Sequence, residues 1–191
     1  MITPFSTLPL RARKRAQTRS ALCAALVSRL STRTLDDIGV AELCTEAGIS
    51  QGTFFNYFPA KADLLTHFIR LWSLQVAVVA RDAEARSASP LGAIEAIFAS
   101  TAEGVSAAPG LMLETIAHQA RMPVDLELPP IELAERALLL PDTPDLMSLP
   151  ADGLGDVLPP LLAKAVAAGE LPADADVESL MLAVASVFFG V

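Results

Sequence analysis

Histidine, cysteine and aromatic side chains are scarce in this chain. Its 191 residues include two histidines, two cysteines, one tryptophan and one tyrosine, and aromatics make up 5%. Each scarcity removes a class of function. With only His67 and His118 present, histidine-based catalysis has little material. There is also no HExxH helix, GxSxG elbow, glycine-rich phosphate loop or Cys/His set at metal-ligand spacing. No catalytic residue, metal or cofactor is therefore expected, and an enzyme is the weakest of the readings open to the sequence. Two cysteines do not make a disulfide framework. Cys23 and Cys44 stand where small apolar residues suit a helix and read as reduced core residues, with a redox switch as the minor alternative. The longest charge-free apolar run, Leu180 to Val191, is shorter than the roughly 20 residues a helix needs to cross a bilayer. The first ten residues place their apolar part ahead of the charges, unlike a signal peptide. No membrane partner and a cytoplasmic location are the expectation.

What the chain does have is aliphatic bulk. Hydrophobic residues make up 52% of it, with much Ala and Leu, which is a helical composition and enough for one or two domains with a sizeable core. The net charge of −8 argues against nucleic acid until its distribution is read. Through Trp72 there are nine basic and five acidic residues, a net of +4, which leaves −12 for the remainder. A basic head on an acidic body attracts a polyanion at one end only.

Hydrophobic spacing and breakers divide the chain into helices. Residues 1–9, with two prolines, are expected to be disordered or loosely attached. Arg11 to Leu30 predicts a first helix, with Leu22, Leu26 and Leu30 four apart on one face. Its start carries Arg11, Arg13, Lys14, Arg15 and Arg19, either an arm over phosphates or into a minor groove, or a solvated basic face. Helices are expected at Val40 to Ala47, Gln51 to Tyr57, Lys61 to Ser87, Pro90 to Ala107 and Leu111 to Arg121. Residues 122–153 are proline-rich, with room for one short helix near Ile131 to Leu140. Gly155 to Ala168 follows, with Pro159 and Pro160 either starting or kinking it, and then Val177 onward. The fold class is all-α.

The stretch with most information is Cys44 to Lys61. Gly48 ends one helix in a left-handed turn, Ser50 caps the next, and Pro59 stops it. Two helices about a glycine turn form the helix-turn-helix plan, whose second helix enters the DNA major groove. Phe54 and Phe58, four apart, face one way with Leu43 and Ile49 as a small core. Gln51, Gly52, Phe55 and Asn56 are left facing outward. Gly52 lets the backbone come close to DNA, and Gln51, Asn56 and Thr53 can bond base edges or phosphates.

The run Ala-Gly-Ile-Ser-x-Gly-Thr-Phe-Phe-x-Tyr-Phe-x-x-Lys-x-x-Leu-Leu resembles the signature of TetR-family transcriptional regulators. The resemblance covers roughly residues 40–65, and the helical layout beyond agrees with it. It implies residues 1–60 as a three-helix DNA-binding domain and 61–191 as a helical effector-binding and dimerisation domain. It also implies DNA contacts from Ser50, Gln51, Gly52, Thr53, Phe55, Asn56, Tyr57 and Lys61, the last two on phosphate. Two positions depart from the family pattern. Phe55 stands where a tyrosine usually contacts the backbone, though a phenyl ring can still touch a thymine methyl. Gly39 stands where a threonine usually caps the second helix and contacts phosphate.

The same resemblance implies a homodimer on a palindromic operator, released when a small, lipophilic effector fills the body. Trp72, Gln75, Phe98, Met112, Ile116, His118 and Met122 are the candidate wall residues, with Gln75 and His118 as polar handles. Each of these also reads as ordinary core, and His67 reads as a surface residue. The last helix reaches Val191 without a stop signal, so a longer native chain is expected. The alternative function is a helical dimeric interaction protein whose DNA binding is weakened or lost.

Overall fold

A computed structural model describes residues 2–87, 89–121, 129–151 and 153–189. The described residues are helical, with no strand. The α-helices are α1 (Leu10–Leu30), α2 (Val40–Ala47), α3 (Gln51–Tyr57), α4 (Lys61–Ser87), α5 (Pro90–Ala107), α6 (Pro109–Gln119), α7 (Leu133–Leu139), α8 (Leu154–Ala167) and α9 (Val177–Phe189). The bounds of α2 to α5 agree with the breakers read in the sequence. Helix α6 starts two residues earlier than expected, because Pro109 is tolerated in a first turn where its missing N–H has no partner to lose. Pro159 and Pro160 lie inside α8, which forgoes two backbone donors there. The stretch expected to be loose at the start of the chain forms a 3-10 turn, Phe5–Thr7, and Leu8 O accepts a bond from Arg13 Nε at 3.0 Å.

Two compact units divide the chain. The first takes Met1–Leu71 and Ala107–Ser148, the second Trp72–Ser106 and Leu149–Val191. The core of the first is built from Leu22, Leu26 and Leu30 of α1, Leu43 of α2, Phe54 of α3, Phe58, and Leu64 and Leu65 of α4. These are the apolar faces read from the spacing. In the second unit Leu74, Ala77, Ile94, Ile97, Leu158, Leu161 and Leu162 are buried. Lys164 pairs there with Glu84 at 2.7 Å, and Glu170 accepts from the Leu91 N–H at 2.9 Å. Helix α4 is long and apolar enough to cross a membrane by length and composition, but more than half of its most apolar 18-residue stretch is buried within the protein, as in a core helix.

Two glycines set local geometry in the first unit. Gly48 ends α2 at φ +66°, and the N–H of Ile49 returns to Cys44 O at 3.0 Å, so the corner before α3 is a left-handed cap. Gly110 is needed for a different reason. A Cβ at that position would sit 2.5 Å from Leu30 O, so the start of α6 rests directly on the end of α1. Gly110→Ala should therefore cost about 1–3 kcal/mol by overpacking against a backbone atom, despite the better helix propensity of alanine. Thermal unfolding of the variant checks this, and an unchanged or raised Tm would refute the close packing of α6 on α1.

Candidate nucleic-acid interface

The reading head is assembled around α3. Ser50 Oγ accepts from the Thr53 N–H at 3.1 Å and lies 3.0 Å from Thr53 Oγ1, a side-chain N-cap. Phe54 is fully buried and Phe58 nearly so, their rings 5.9 Å apart. This anchors one side of the helix and turns the other outward. Gln51, Gly52, Asn56 and Phe55 are exposed, Phe55 by 49%, while Thr53 and Tyr57 are half-buried. The contrast expected from helical spacing is therefore present, with Phe54 and Phe58 inward and Gln51, Gly52, Phe55 and Asn56 outward.

Gly52 adds an independent observation. A Cβ there would meet only Ser50 Oγ at 3.8 Å, an ordinary contact. The packing of the head therefore does not require glycine at this position.

The surroundings of α3 are fixed by charge. Arg29 pairs with Glu42 and Glu46, and Arg33 with Glu42 at 2.8 Å, which ties the end of α1 to α2. At the start of α2 the Gly39 N–H donates to Glu42 Oε1 at 2.5 Å; glycine has no side chain to return the bond, so this is half a capping box. The Arg33 hydrogen bond, with that of Gly39, pulls the Glu42 carboxyl down to about 2. Lys61 Nζ donates to Ile38 O at 2.6 Å and to Asp36 O at 3.4 Å. Its ammonium therefore joins the loop before α2 to the start of α4, beside the half-capped end.

His67 is not a surface residue, as the sequence led one to expect; it is 4% exposed. It belongs to a buried cluster with Arg19 of α1 and Glu135 of α7. Arg19 Nη1 bonds Glu135 Oε2 at 3.2 Å, and Arg19 Nη2 lies 3.0 Å from His67 Nδ1. A guanidinium only donates, so Nδ1 accepts and the ring proton sits on Nε2. That nitrogen lies 2.9 Å from Glu135 Oε1, a close electrostatic contact outside hydrogen-bonding alignment. The Arg19 guanidinium also covers the Phe58 ring at 5.1 Å. Burial, with the neighbouring Arg19 charge, lowers the His67 pKa and keeps the ring neutral, although Glu135 pulls the other way. Burial would raise the Glu135 carboxyl, but contact with His67 and the Arg19 charge outweigh it and leave the group below its ordinary value. No motif signals this cluster, because its members are far apart in sequence.

The candidate effector residues fall in different units. Trp72, Gln75 and Phe98 belong to the second, and Met112, Ile116 and His118 to the first. Gln75 is exposed, while Trp72, Phe98, Met112, Ile116 and His118 are half-buried. His118 Nε2 lies 2.7 Å from Thr66 Oγ1. Met122 lies outside the described residues. Both cysteines are free and buried, and burial pushes the Cys23 thiol up to about 12.

Residues 25–68 match the family model for bacterial regulatory proteins of the tetR family. Solved structures share the fold. FadR of Thermus thermophilus, a TetR-family transcriptional repressor solved with lauroyl-CoA, is 22% identical over 90% of this chain and 79% of that one, with a TM-score of 0.60. A gamma-butyrolactone receptor, described as ArpA-like, is 23% identical over 94% and 79%, with a TM-score of 0.56. The regulatory protein TetR of Rhodobacter sphaeroides is 23% identical over 86% and 80%, at 0.54. No curated protein matches the chain.

The buried cluster makes two predictions. Glu135→Ala leaves Arg19 buried without its counter-charge and should cost about 3–5 kcal/mol, read by chemical denaturation. The folded state also resists a proton that unfolded His67 accepts near its ordinary 6.5. Stability should therefore fall as pH drops below that value, and His67→Gln should flatten this part of the curve. Parallel pH profiles for the wild type and the variant would contradict a neutral, resisting imidazole.

Proposed function

Through residues 25–68 of its head the chain belongs to the tetR family of bacterial regulatory proteins, and on that premise we propose that it is a repressor of transcription that leaves a palindromic operator when a small apolar effector binds. The observation that carries the reading is α3. Its aromatic side is locked into a core and its polar side is free, with a glycine that the fold itself does not need. Gln51 and Asn56 are the base-edge readers, Phe55 offers its ring to a thymine methyl, and Ser50, Thr53, Tyr57 and Lys61 meet phosphates. Lys61 does so while bound to the carbonyls before α2, which fixes its position.

A second copy is part of the reading. Leu182 and Val187 on α9 are 57% and 73% exposed, apolar side chains that a partner subunit would cover. A dimer would present two α3 helices to half-sites one duplex turn apart. The effector class is the one that the family resemblance implies. It is also supported by the relatives: one was solved with an acyl-CoA and another is a butyrolactone receptor. Coupling between effector and operator needs only that each favours a different arrangement of the two heads. No catalytic step belongs to this function, and its place is the cytoplasm, with the DNA.

Gly52 provides the test. Gly52→Ala should raise helix stability or leave it unchanged, by up to about 1 kcal/mol, while weakening DNA binding. Gln51→Ala should lose about 1–3 kcal/mol of discrimination at one base position, with smaller changes elsewhere. Both are measured on duplexes selected from a random-sequence library. Equal affinity of Gly52→Ala and wild type would remove Gly52 from the interface, and the absence of salt-dependent binding to any duplex would favour the alternative of an interaction protein that has lost DNA binding.

A further inference from the structure

Arg19 and Glu135 lie outside residues 25–68, the part of the chain that matches the family, yet both belong to the compact unit that holds α3. They reach the reading helix through Phe58. That residue is the C-cap of α3, its N–H bonded to Phe54 O at 2.8 Å. One neighbour of its ring is Phe54, at 5.9 Å. Two further neighbours are the Arg19 guanidinium, at 5.1 Å, and the His67 ring, at 5.4 Å. The rotation of α3 thus depends on a ring packed against a cation from α1 and an imidazole from α4.

The cation is held from α7. Glu135 Oε2 accepts from Arg19 Nη1 at 3.2 Å and from the Glu132 N–H, at the start of α7, at 3.2 Å. The carboxylate is therefore tied to its own helix while it bonds the guanidinium. His67 Nδ1 accepts from Arg19 Nη2 at 3.0 Å, which only the neutral ring can do. Arg19 Nε, His67 Nε2 and Glu135 Oε1 have no aligned hydrogen bond, so the cluster has little to offset the loss of another. A proton on Nδ1 would set donor against donor and place a second positive charge beside Arg19, where water is excluded. The charged groups around the ring are Arg19 from α1, Arg70 from α4 and Glu135 from α7. Phe58 adds an uncharged ring, and the buried Cys23 thiol beside Arg19 and Glu135 keeps its proton. One anion thus faces two cations before any proton arrives.

We propose that α7 is a working part of the reading head: Glu135, acting through Arg19 on the Phe58 ring, is a positioning residue for α3, and His67 makes that link sensitive to protons. The proposal rests on the DNA-binding reading above and adds to it a residue outside the helix-turn-helix that never touches DNA. With His67 neutral, the three side chains close on one another and α3 is held in its reading rotation. Protonation of His67 breaks the Arg19 contact, frees the guanidinium from Phe58 and loosens α7. The proton is taken up by the opened form, whose solvated His67 titrates near its ordinary 6.5, so acid shifts the population toward that form. Operator affinity therefore falls on acidification. An added positive charge by itself would strengthen binding to a polyanion, so the two effects have opposite signs.

The experiment measures binding of the full chain to a duplex recovered by selection and to a scrambled one. Salt is fixed, and pH runs from about 7.5 to about 5.5, which brackets the ordinary titration of histidine. The temperature is one at which circular dichroism shows the chain helical throughout. Below about 6.5 the wild-type log K should fall by up to about one per pH unit, the limit for one coupled proton. His67→Gln, whose amide can accept from Arg19 but gains no proton, should give a flat profile. At the upper pH, Glu135→Gln should narrow the preference for the selected duplex roughly 2–30-fold. Its salt slope should match wild type, because no phosphate contact is lost. A loss of global stability alone would weaken both duplexes together. If Glu135→Gln does not fold, Arg19→Lys takes its place, since an ammonium keeps the charge without the planar fork that bonds two partners and covers the ring. Wild-type affinity that is flat or rises on acidification, a decline that persists in His67→Gln, or an unchanged duplex preference in the α7 or α1 variant overturns the proposal and leaves DNA binding through α3 standing. A wild type with no salt-dependent binding to any duplex overturns the DNA reading as well.

Discussion

The burial of Phe54 and Phe58 fixes what the head can present. Two rings four residues apart lie on one side of a helix only two turns long, and both are excluded from water. Burying a phenyl side chain is worth about 1.5–3 kcal/mol, so rotating α3 to hide its polar residues would forfeit several kcal/mol. The outward direction of Gln51, Gly52 and Asn56 is thus a consequence of the aromatic side and needs no preference of its own. The Ser50 cap and the left-handed Gly48 corner set where the helix starts, and the rings set its rotation.

Beneath that helix, charge joins elements that a small core alone would leave loosely matched. Phe58 lies between the α3 core and the Arg19 guanidinium, and Arg19 in turn is held by Glu135 and His67. Three segments distant in the chain, α1, the first turns of α4, and α7, are joined at one buried point. A buried ion pair of this kind contributes little net stability, because desolvation offsets most of the attraction. Its effect is on register, since few arrangements of α1 against α7 leave both charges and the imidazole with partners. The second link between the same elements, Arg15 with Glu132, is exposed and weak.

The uneven charge of the chain has a physical reading in this geometry. The basic excess before Trp72 is not spread evenly. Part of it is bonded within the head, by Arg13, Arg19, Arg29, Arg33, Lys61 and Arg70, while Arg11, Lys14 and Arg15 on the first turns of α1 are exposed. Net charge alone would have argued against a polyanion, whereas the distribution of charge along the helices does not.

The helices and the reading helix were legible in the sequence because their signals are local. Glycine at a left-handed turn, serine before a helix, proline at a boundary and apolar residues four apart act within a few residues, and α2 to α5 follow them. The resemblance at residues 40–65 rested on the same local chemistry. What the sequence could not determine is long-range. Nothing near His67 distinguishes a solvated histidine from one enclosed by Arg19 and Glu135, and nothing near Gly110 shows that Leu30 O will lie against it. Nor does the run of arginines on α1 reveal which are used inside the protein and which are left for a partner. Those outcomes depend on which segments meet when the chain closes, and only tertiary structure decides that.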